Sequence, residues 1–359
     1  MPSYQIAFIP GDGVGQEVSI EAEKVLKAVV EKHGLDLKTT EFDWSCEYYL
    51  KHGRMMPEDG MEILRGFDAI FLGSVGDAKK VPDHIAATLV LGIRKKFDQY
   101  VNLRPIKLYP NVDTLIKTAT PETVDMAVVR ENTEGEYAAL GGFFKQGTPD
   151  GVALQTAVFT QKGCERVMRY AFELAEERKR SGTRPGMVTN CTKSNALNHS
   201  MVFWDQVFDQ VAEDYPGVTR DMALVDALAM WLIRNPEKFD VIVASNLFGD
   251  IITDLGAMLQ GGMGLAAGGN INPEKEFPSM FEPIHGSAPD IKFKGIVNPI
   301  ASIESIRMML EHLGEKQAAQ DVERAVSWTL EEGRIRTPDM GGTNKTCELG
   351  DAIREVILK

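Results

Sequence analysis

Cysteine is scarce in this chain, with 4 residues among 359, at positions 46, 164, 191 and 347. No two of them form a CxxC pair, which excludes the common cysteine-based zinc motifs and argues against a disulfide framework. Sparse, unpaired cysteine is typical of proteins in a reducing compartment. The sequence therefore predicts a cytoplasmic location.

Long apolar runs and an excess of positive charge are also missing. No run approaches the roughly 18 apolar residues of a membrane-spanning helix, and the N-terminal MPSYQIAFIPGDGVG lacks the features of a signal peptide. The 39 Lys and Arg residues are outnumbered by 52 Asp and Glu residues, which gives a net charge of −13. Nucleic-acid binding requires a basic face, and anionic membranes repel an acidic surface. We therefore expect a soluble protein with neither kind of partner.

Short apolar runs alternate with amphipathic stretches along the chain, and this alternation predicts an α/β fold. The runs at residues 5–10, 67–73, 125–129 and 239–245 are predicted strands. Residues 16–32 have the periodicity of an amphipathic helix. A chain of 359 residues is long enough for two domains.

Two stretches depart from this pattern. Residues 137–159 combine glycine and aromatic residues with alternating apolar positions, which predicts a β-ribbon or arm outside the core βα units. Residues 261–269 contain five glycines, as in a flexible linker. The interleaved Met263, Leu265 and Ala266 favour an ordered loop instead.

The glycine-rich loop at residues 11–15 follows the first predicted strand, as dinucleotide-binding loops do. It does not match the GxGxxG fingerprint, because Gln16 stands where the third glycine is required. In addition, no acidic residue ends a second strand about 20 residues later. We interpret the loop as a tight turn between a strand and a helix.

Arg94, Arg104 and Arg130 lie among apolar residues, where a solvated charge is not expected. Arg130 directly follows a predicted strand, at the end where α/β sheets form ligand sites. One such arginine is usually structural. Three of them could together bind carboxylates, because the guanidinium group matches a carboxylate in a bidentate manner.

Asp250 and Asp254 are four residues apart, so they share one face of a predicted helix. A solvated helix face is one interpretation. Their apolar neighbours favour a Mg²⁺ or Mn²⁺ site, with Asp226 as a third candidate ligand. Tyr137 and Lys193 are the candidates for proton transfer, against the alternatives of a core tyrosine and a surface lysine.

Taken together, these segments resemble the β-decarboxylating dehydrogenases, the family of isopropylmalate, isocitrate and tartrate/D-malate dehydrogenases. The resemblance spans nearly the whole chain and rests on IPGDGVGQEV, LRP, RENTEGEY, TKSN, SNLFGDIITDLG and FEPIHGSAPDI. It implies an α/β, two-domain fold that is not a Rossmann fold. Residues 1–102 and 256–359 would form a first, cofactor-side domain. Residues 103–255 would form a second domain with the dimer interface and the arm.

The resemblance also implies roles for individual residues. Arg94, Arg104 and Arg130 match arginines that hold the substrate carboxylates. Tyr137 matches the general acid. Lys193 matches the general base, which reaches in from the neighbouring subunit of a homodimer with shared active sites.

A metal site is implied in the same way. Asp226, again from the neighbouring subunit, would join Asp250 and Asp254 around Mg²⁺ or Mn²⁺. K⁺ is a further candidate cofactor.

NAD is the implied nucleotide. The matching loop consists of His285, Gly286, Ser287, Ala288, Pro289, Asp290 and Ile291. Asn298 would lie near the adenine, and Asp290 would bond the hydroxyls of the adenosine ribose. Relatives that use NADP carry Lys and Tyr in place of Asp290 and Ile291.

The substrate is less sharply defined. The segment FDQYVNLRP resembles the tartrate/D-malate branch, whereas Ala87 to Val90 departs from the Trp-Gly-Leu/Ser-Leu usual there. Isocitrate enzymes place Asn at the position of Val90, and isopropylmalate enzymes place Glu at that of Ala87. Thr88 and Val90 are therefore the candidate residues for substrate selection.

The resulting hypothesis is NAD- and metal-dependent oxidation and decarboxylation of D-malate or tartrate. Dehydrogenation of 3-isopropylmalate or another 3-alkylmalate is the alternative. A third possibility, a non-catalytic regulatory subunit, is disfavoured because such subunits lose catalytic residues that this chain retains.

Overall fold

The computed structural model describes residues 2–359. The strands are β1 (Ser3–Gly11), β2 (Asp36–Glu41), β3 (Ala69–Ser74), β4 (Val101–Lys107), β5 (Asp125–Glu131), β6 (Gly135–Phe144), β7 (Val152–Val158), β8 (Met187–Thr192), β9 (Thr219–Leu224), β10 (Val241–Ala244), β11 (Ala267–Ile271) and β12 (Ser279–Pro283). The helices are α1 (Val14–His33), α2 (Cys46–His52), α3 (Gly60–Leu64), α4 (Asp83–Lys96), α5 (Gln161–Arg180), α6 (Ser200–Ala212), α7 (Val225–Arg234), α8 (Asn246–Leu259), α9 (Ile300–Leu313), α10 (Lys316–Glu332) and α11 (Thr346–Leu358). Within residues 2–359, no helix combines the length and the apolar character needed to cross a membrane.

The α/β pattern predicted from the sequence is confirmed. Strands β1, β3, β5 and β10 overlap the four predicted strands, and α1 contains the predicted helix at residues 16–32. Helix α1 ends at Gly34, whose φ of 63° gives the left-handed C-cap that glycine adopts without strain.

The chain forms two compact units. Unit 1 comprises the residues up to Gln99 together with Lys107–Pro121 and Ala257–Lys359. Its strands lie in the order β2-β1-β3-β12-β11. All the pairs are parallel except the antiparallel pair of β11 and β12. Strand β3 is buried along its whole length, which explains why its sequence is a nearly continuous apolar run.

Unit 2 comprises Tyr100–Ile106 and Glu122–Gly256. Its strands lie in the order β4-β5-β10-β8-β9, and β5, β10, β8 and β9 are mutually parallel. In the register of this sheet, Arg130 pairs with Ala244, and Ala244 pairs with Cys191. The carboxyl ends of these strands therefore meet at one edge, and the residues that follow them are brought close together.

Both stretches that depart from the α/β pattern have regular structure. Strands β6 and β7 form an antiparallel two-stranded sheet, which confirms the predicted β-ribbon. Its apolar side chains are largely exposed, among them Leu140, Phe143 and Leu154. The segment at residues 261–269 contains the 3₁₀ turn Met263–Leu265 and the start of β11, as an ordered loop requires.

Candidate active site

Several candidate residues lie at the edge where the parallel strands of unit 2 end. Arg130 is near the end of β5, and Lys193 directly follows β8. Asp226 lies in the first turn of α7, directly after β9, and Asp250 lies in α8, which follows β10. This is the edge at which α/β sheets form ligand sites.

A charged cluster is centred on Asp250. Its carboxylate accepts hydrogen bonds from Arg130 Nη1 at 2.5 Å and from the Tyr137 hydroxyl at 3.0 Å. Arg104 Nη2 lies 3.4 Å from the same carboxylate, and Arg104 Nη1 lies 3.9 Å from Asp254. Five residues from three predicted motifs thus come together, with two arginines facing two aspartates.

Both arginines of the cluster are held in place by neutral groups. Arg130 is 1% exposed, and its Nε and Nη2 donate to the side-chain oxygen of Asn246 at 3.2 and 2.8 Å. Arg104 Nη1 donates to the hydroxyl of Thr253 at 2.5 Å. A side chain at Gly249 would collide with that of Arg130, so glycine is required there. Burying a guanidinium is costly unless its donors are satisfied, and these contacts fix its orientation.

The surroundings of the cluster shift the pKa of two of its members. Burial, together with the carboxylate of Asp250, raises the pKa of the Tyr137 hydroxyl. Tyr137 therefore holds its proton at neutral pH, as a proton donor must. Burial also raises the pKa of Asp254, although the charge of Arg104 opposes this effect. A cation bound beside Asp254 would favour its ionised form.

Lys193 and Asp226 form a pair of their own. Lys193 Nζ lies 2.7 Å from an oxygen of Asp226, and this hydrogen bond lowers the pKa of the Asp226 carboxyl. Within residues 2–359, no three His, Cys, Asp or Glu side chains are close enough together to hold a metal ion. A single chain therefore does not bring Asp226 together with both Asp250 and Asp254, and the three-aspartate ligand set stays a prediction.

Arg94 lies in unit 1, where α4 and β12 bring it to Glu282. Its Nη2 donates to Glu282 at 2.7 Å, and Asn270 donates to the same oxygen at 2.7 Å. The Nε of Arg94 is buried and has no hydrogen-bond partner within residues 2–359. Glu282 was not among the predicted site residues, although it belongs to the quoted FEPIHGSAPDI motif.

The two candidate residues for substrate selection lie on α4. The hydroxyl of Thr88 is exposed and donates to the carbonyl of Ile85 at 2.6 Å. Val90 is partly buried and packs against the apolar core of unit 1. Their proposed roles stay predictions.

The candidate nucleotide loop follows β12 and is supported by the first glycine-rich loop. The N–H of Val14 donates to the carbonyl of Ser287 at 2.8 Å. Gly13 has a φ of 59°, and a Cβ there would collide with the Ser287 backbone. The loop is the predicted turn between a strand and a helix, and the close approach to Ser287 is a second reason for glycine at position 13. Burial lowers the pKa of His285 in the same loop, which favours the neutral imidazole.

Two further candidate nucleotide contacts have partners within unit 1. The Asn298 amide donates to Asp339 at 3.0 Å, and its oxygen accepts the N–H of Ile300 at 3.0 Å. Asn298 is 2% exposed, so both polar atoms of its side chain are engaged in a buried environment. Asp290 lies 2.8 Å from Lys79, a residue that sequence reasoning did not connect with it.

Comparisons with known proteins cover almost the entire chain. Residues 5–353 match the isocitrate/isopropylmalate dehydrogenase family. The chain is 48% identical over 355 residues to the probable tartrate dehydrogenase/decarboxylase of Bacillus subtilis, with 98% of each chain covered. It is 47% identical over 366 residues to the D-malate dehydrogenase (decarboxylating) of Escherichia coli, with 100% of each covered.

The fold agrees with the sequence comparison. The crystal structure of isocitrate dehydrogenase from Methylococcus capsulatus superposes with a TM-score of 0.87 at 34% identity, covering 99% of this chain and 100% of that one. The predicted family and fold are thereby confirmed. The protein belongs to the isocitrate/isopropylmalate dehydrogenase family and is an oxidoreductase.

Proposed function

We propose that the protein oxidises and decarboxylates D-malate or tartrate, with NAD as the oxidant and Mg²⁺ or Mn²⁺ as the metal. Sequence identity to the tartrate and D-malate enzymes is the strongest support for this substrate class. The tartrate and D-malate enzymes share 46% to 48% of their residues with this chain, whereas the isocitrate dehydrogenase structure shares 34%.

Substrate binding is assigned to the arginines. Both substrates are dicarboxylates, and each carboxylate matches the two parallel donors of a guanidinium group. Arg104 and Arg130 are held rigidly by neutral partners, so they lose little conformational freedom when a carboxylate binds. Arg94, whose Nη2 bonds Glu282, is the third arginine proposed to hold a carboxylate.

Asp250 and Asp254 would hold the metal, with Asp226 supplied by the second subunit of a homodimer. Their carboxylate oxygens are the ligands that Mg²⁺ and Mn²⁺ prefer. The nucleotide would lie along His285 to Ile291, near Asn298. When bound, NAD accepts a hydride and the metal acts as a Lewis acid on the substrate oxygen.

The proton transfers are assigned to Lys193 and Tyr137. Lys193, from the second subunit, takes the proton of the C2 hydroxyl as C2 is oxidised to a carbonyl. The carboxylate on C3 then leaves as CO₂, because the electron pair of the broken bond is delocalised into that carbonyl. Tyr137 donates its proton to C3, and the raised pKa of its hydroxyl keeps the proton available until this step.

A substrate panel tests the proposal. With NAD and Mn²⁺, we expect D-malate to give pyruvate, CO₂ and NADH, and isocitrate to react with a kcat/KM lower by at least about 100-fold, because Val90 offers no hydrogen bond to a third carboxylate. NADH absorbance and CO₂ release are measured for D-malate, the tartrate isomers, isocitrate and 3-isopropylmalate. Faster turnover of isocitrate would contradict the assignment, and faster turnover of 3-isopropylmalate would favour the alkylmalate alternative.

Metal removal provides a second test. Excess chelator is expected to abolish turnover, and Mn²⁺ or Mg²⁺ to restore it, because the metal proposed at Asp250 and Asp254 would act as the Lewis acid on the substrate oxygen. Activity is measured as Mn²⁺ is added back to the metal-free protein, first with the unaltered chain and then with Asp254→Asn. For the variant we expect the Mn²⁺ concentration at half activation to rise at least about tenfold. Full activity in chelator would show that the aspartate pair serves only the cluster with Arg104 and Arg130 and holds no metal needed for turnover.

A further inference from the structure

An ion pair joins two loops of unit 1 at the proposed nucleotide site. Lys79 lies in the loop after β3, and Asp290 lies in the loop after β12. Lys79 Nζ is 2.8 Å from Asp290 Oδ1, and their side chains are 75% and 80% exposed. The pair lowers the pKa of Asp290 and raises that of Lys79, so both groups are charged at neutral pH.

Lys79 is the cation that faces Asp290 directly. The adjacent Lys80 instead forms an ion pair with Glu47 and lies 3.6 Å from Asp77. Lys294 adds a further positive charge near Asp290. Asp290 is therefore not an isolated negative charge but one half of an ion pair.

The ion pair changes the charge that the 2′-phosphate of a bound nucleotide would encounter. A bare carboxylate beside the adenosine ribose would bond its hydroxyls and repel a 2′-phosphate. An exposed ion pair contributes little to stability, because water screens it and two long side chains must be held in place. Lys79 can therefore leave Asp290 at small cost, and its flexible ammonium group can follow a new anion.

We propose that Lys79 is a cofactor-selectivity residue, which exchanges its ion pair with Asp290 for one with the 2′-phosphate of NADP. The inference rests on the proposed NAD site. Asp290 keeps NAD the preferred nucleotide, and Lys79 gives the same site a measurable affinity for NADP. Removing Lys79 should therefore sharpen the preference for NAD without weakening NAD binding.

The test compares Lys79→Ala with the matched control Lys80→Ala. The Kd values of NADH and NADPH are measured by nucleotide fluorescence at low and high salt, so the result does not depend on turnover. We expect Lys79→Ala to weaken NADPH binding at least about fivefold while changing NADH binding less than about twofold. Lys79→Arg should retain the affinity for NADPH, and added salt should shrink the difference between the variants.

Several outcomes would overturn the proposal. These are equal effects of Lys79→Ala on the two nucleotides, an equal effect of Lys80→Ala on NADPH, and no detectable NADPH binding by the unaltered protein. Equal effects would mean that Lys79 only ties the two loops together. The proposed function fails on a different observation, the absence of NAD-dependent turnover of D-malate and tartrate, which leaves the binding comparison valid.

Discussion

Mixing two inactive variants, Lys193→Ala and Asp250→Ala, is expected to restore activity. Each variant alone should lose at least about 1,000-fold in kcat, since one lacks the proposed proton acceptor and the other lacks a proposed metal ligand. In a hybrid dimer with shared sites, one site carries both lesions. The other combines intact Asp250 from one chain with intact Lys193 from its partner, so about half of the sites in each hybrid should work.

The control for this experiment mixes Asp250→Ala with Asp254→Ala. Both residues lie on the same helix of one chain, so no hybrid site is intact and no activity should return. Subunit exchange is verified with differently tagged chains. Verified exchange without recovery, or the same recovery in the control, would mean that Lys193 does not act across a subunit boundary.

The second large effect is expected for Tyr137→Phe. The substitution removes the proposed proton donor and leaves the ring in place, so kcat should fall by about 100- to 10,000-fold with little change in substrate KM. Since the hydroxyl also bonds Asp250, the Kd of Mn²⁺ is measured alongside, and it should change less than about threefold if proton donation is the main role. Tyr4→Phe is the matched control, because its hydroxyl bonds Glu315 in unit 1. A kcat within tenfold of the unaltered enzyme would remove Tyr137 from the proton-transfer step.

The periodicity of short sequence segments is sufficient to predict several strands and helices and the placement of some candidate site residues on them. The four-residue spacing of Asp250 and Asp254 predicts a shared helix face, and the strand before Arg130 predicts its place at the sheet edge. These inferences need only the periodicity of one helix or strand. The arrangement of Arg104, Arg130 and Asp250 in one cluster also agrees with the family resemblance.

Other contacts could not be predicted, because they join segments that are distant in sequence and become neighbours only when the chain folds. Lys79 and Asp290 are 211 positions apart, and no periodicity links them. Asn246 fixes the guanidinium of Arg130, yet in sequence it is only the first residue of a helix. Gly13 lies in a turn, as the sequence predicts, but its packing against Ser287 depends on a loop far along the chain.

The chain order of the two units has a consequence for synthesis on the ribosome. Most of unit 2 is one continuous stretch, Glu122–Gly256, whereas unit 1 needs both ends of the chain. Strand β12 pairs with β3, and the turn at Gly13 and Val14 supports a loop that is made more than 250 residues later. Domains generally fold as units during translation, and distant pairings form slowly. Unit 2 can therefore fold while the rest of the chain is still being translated. The proposed nucleotide loop, in contrast, gains its support only when synthesis is nearly finished.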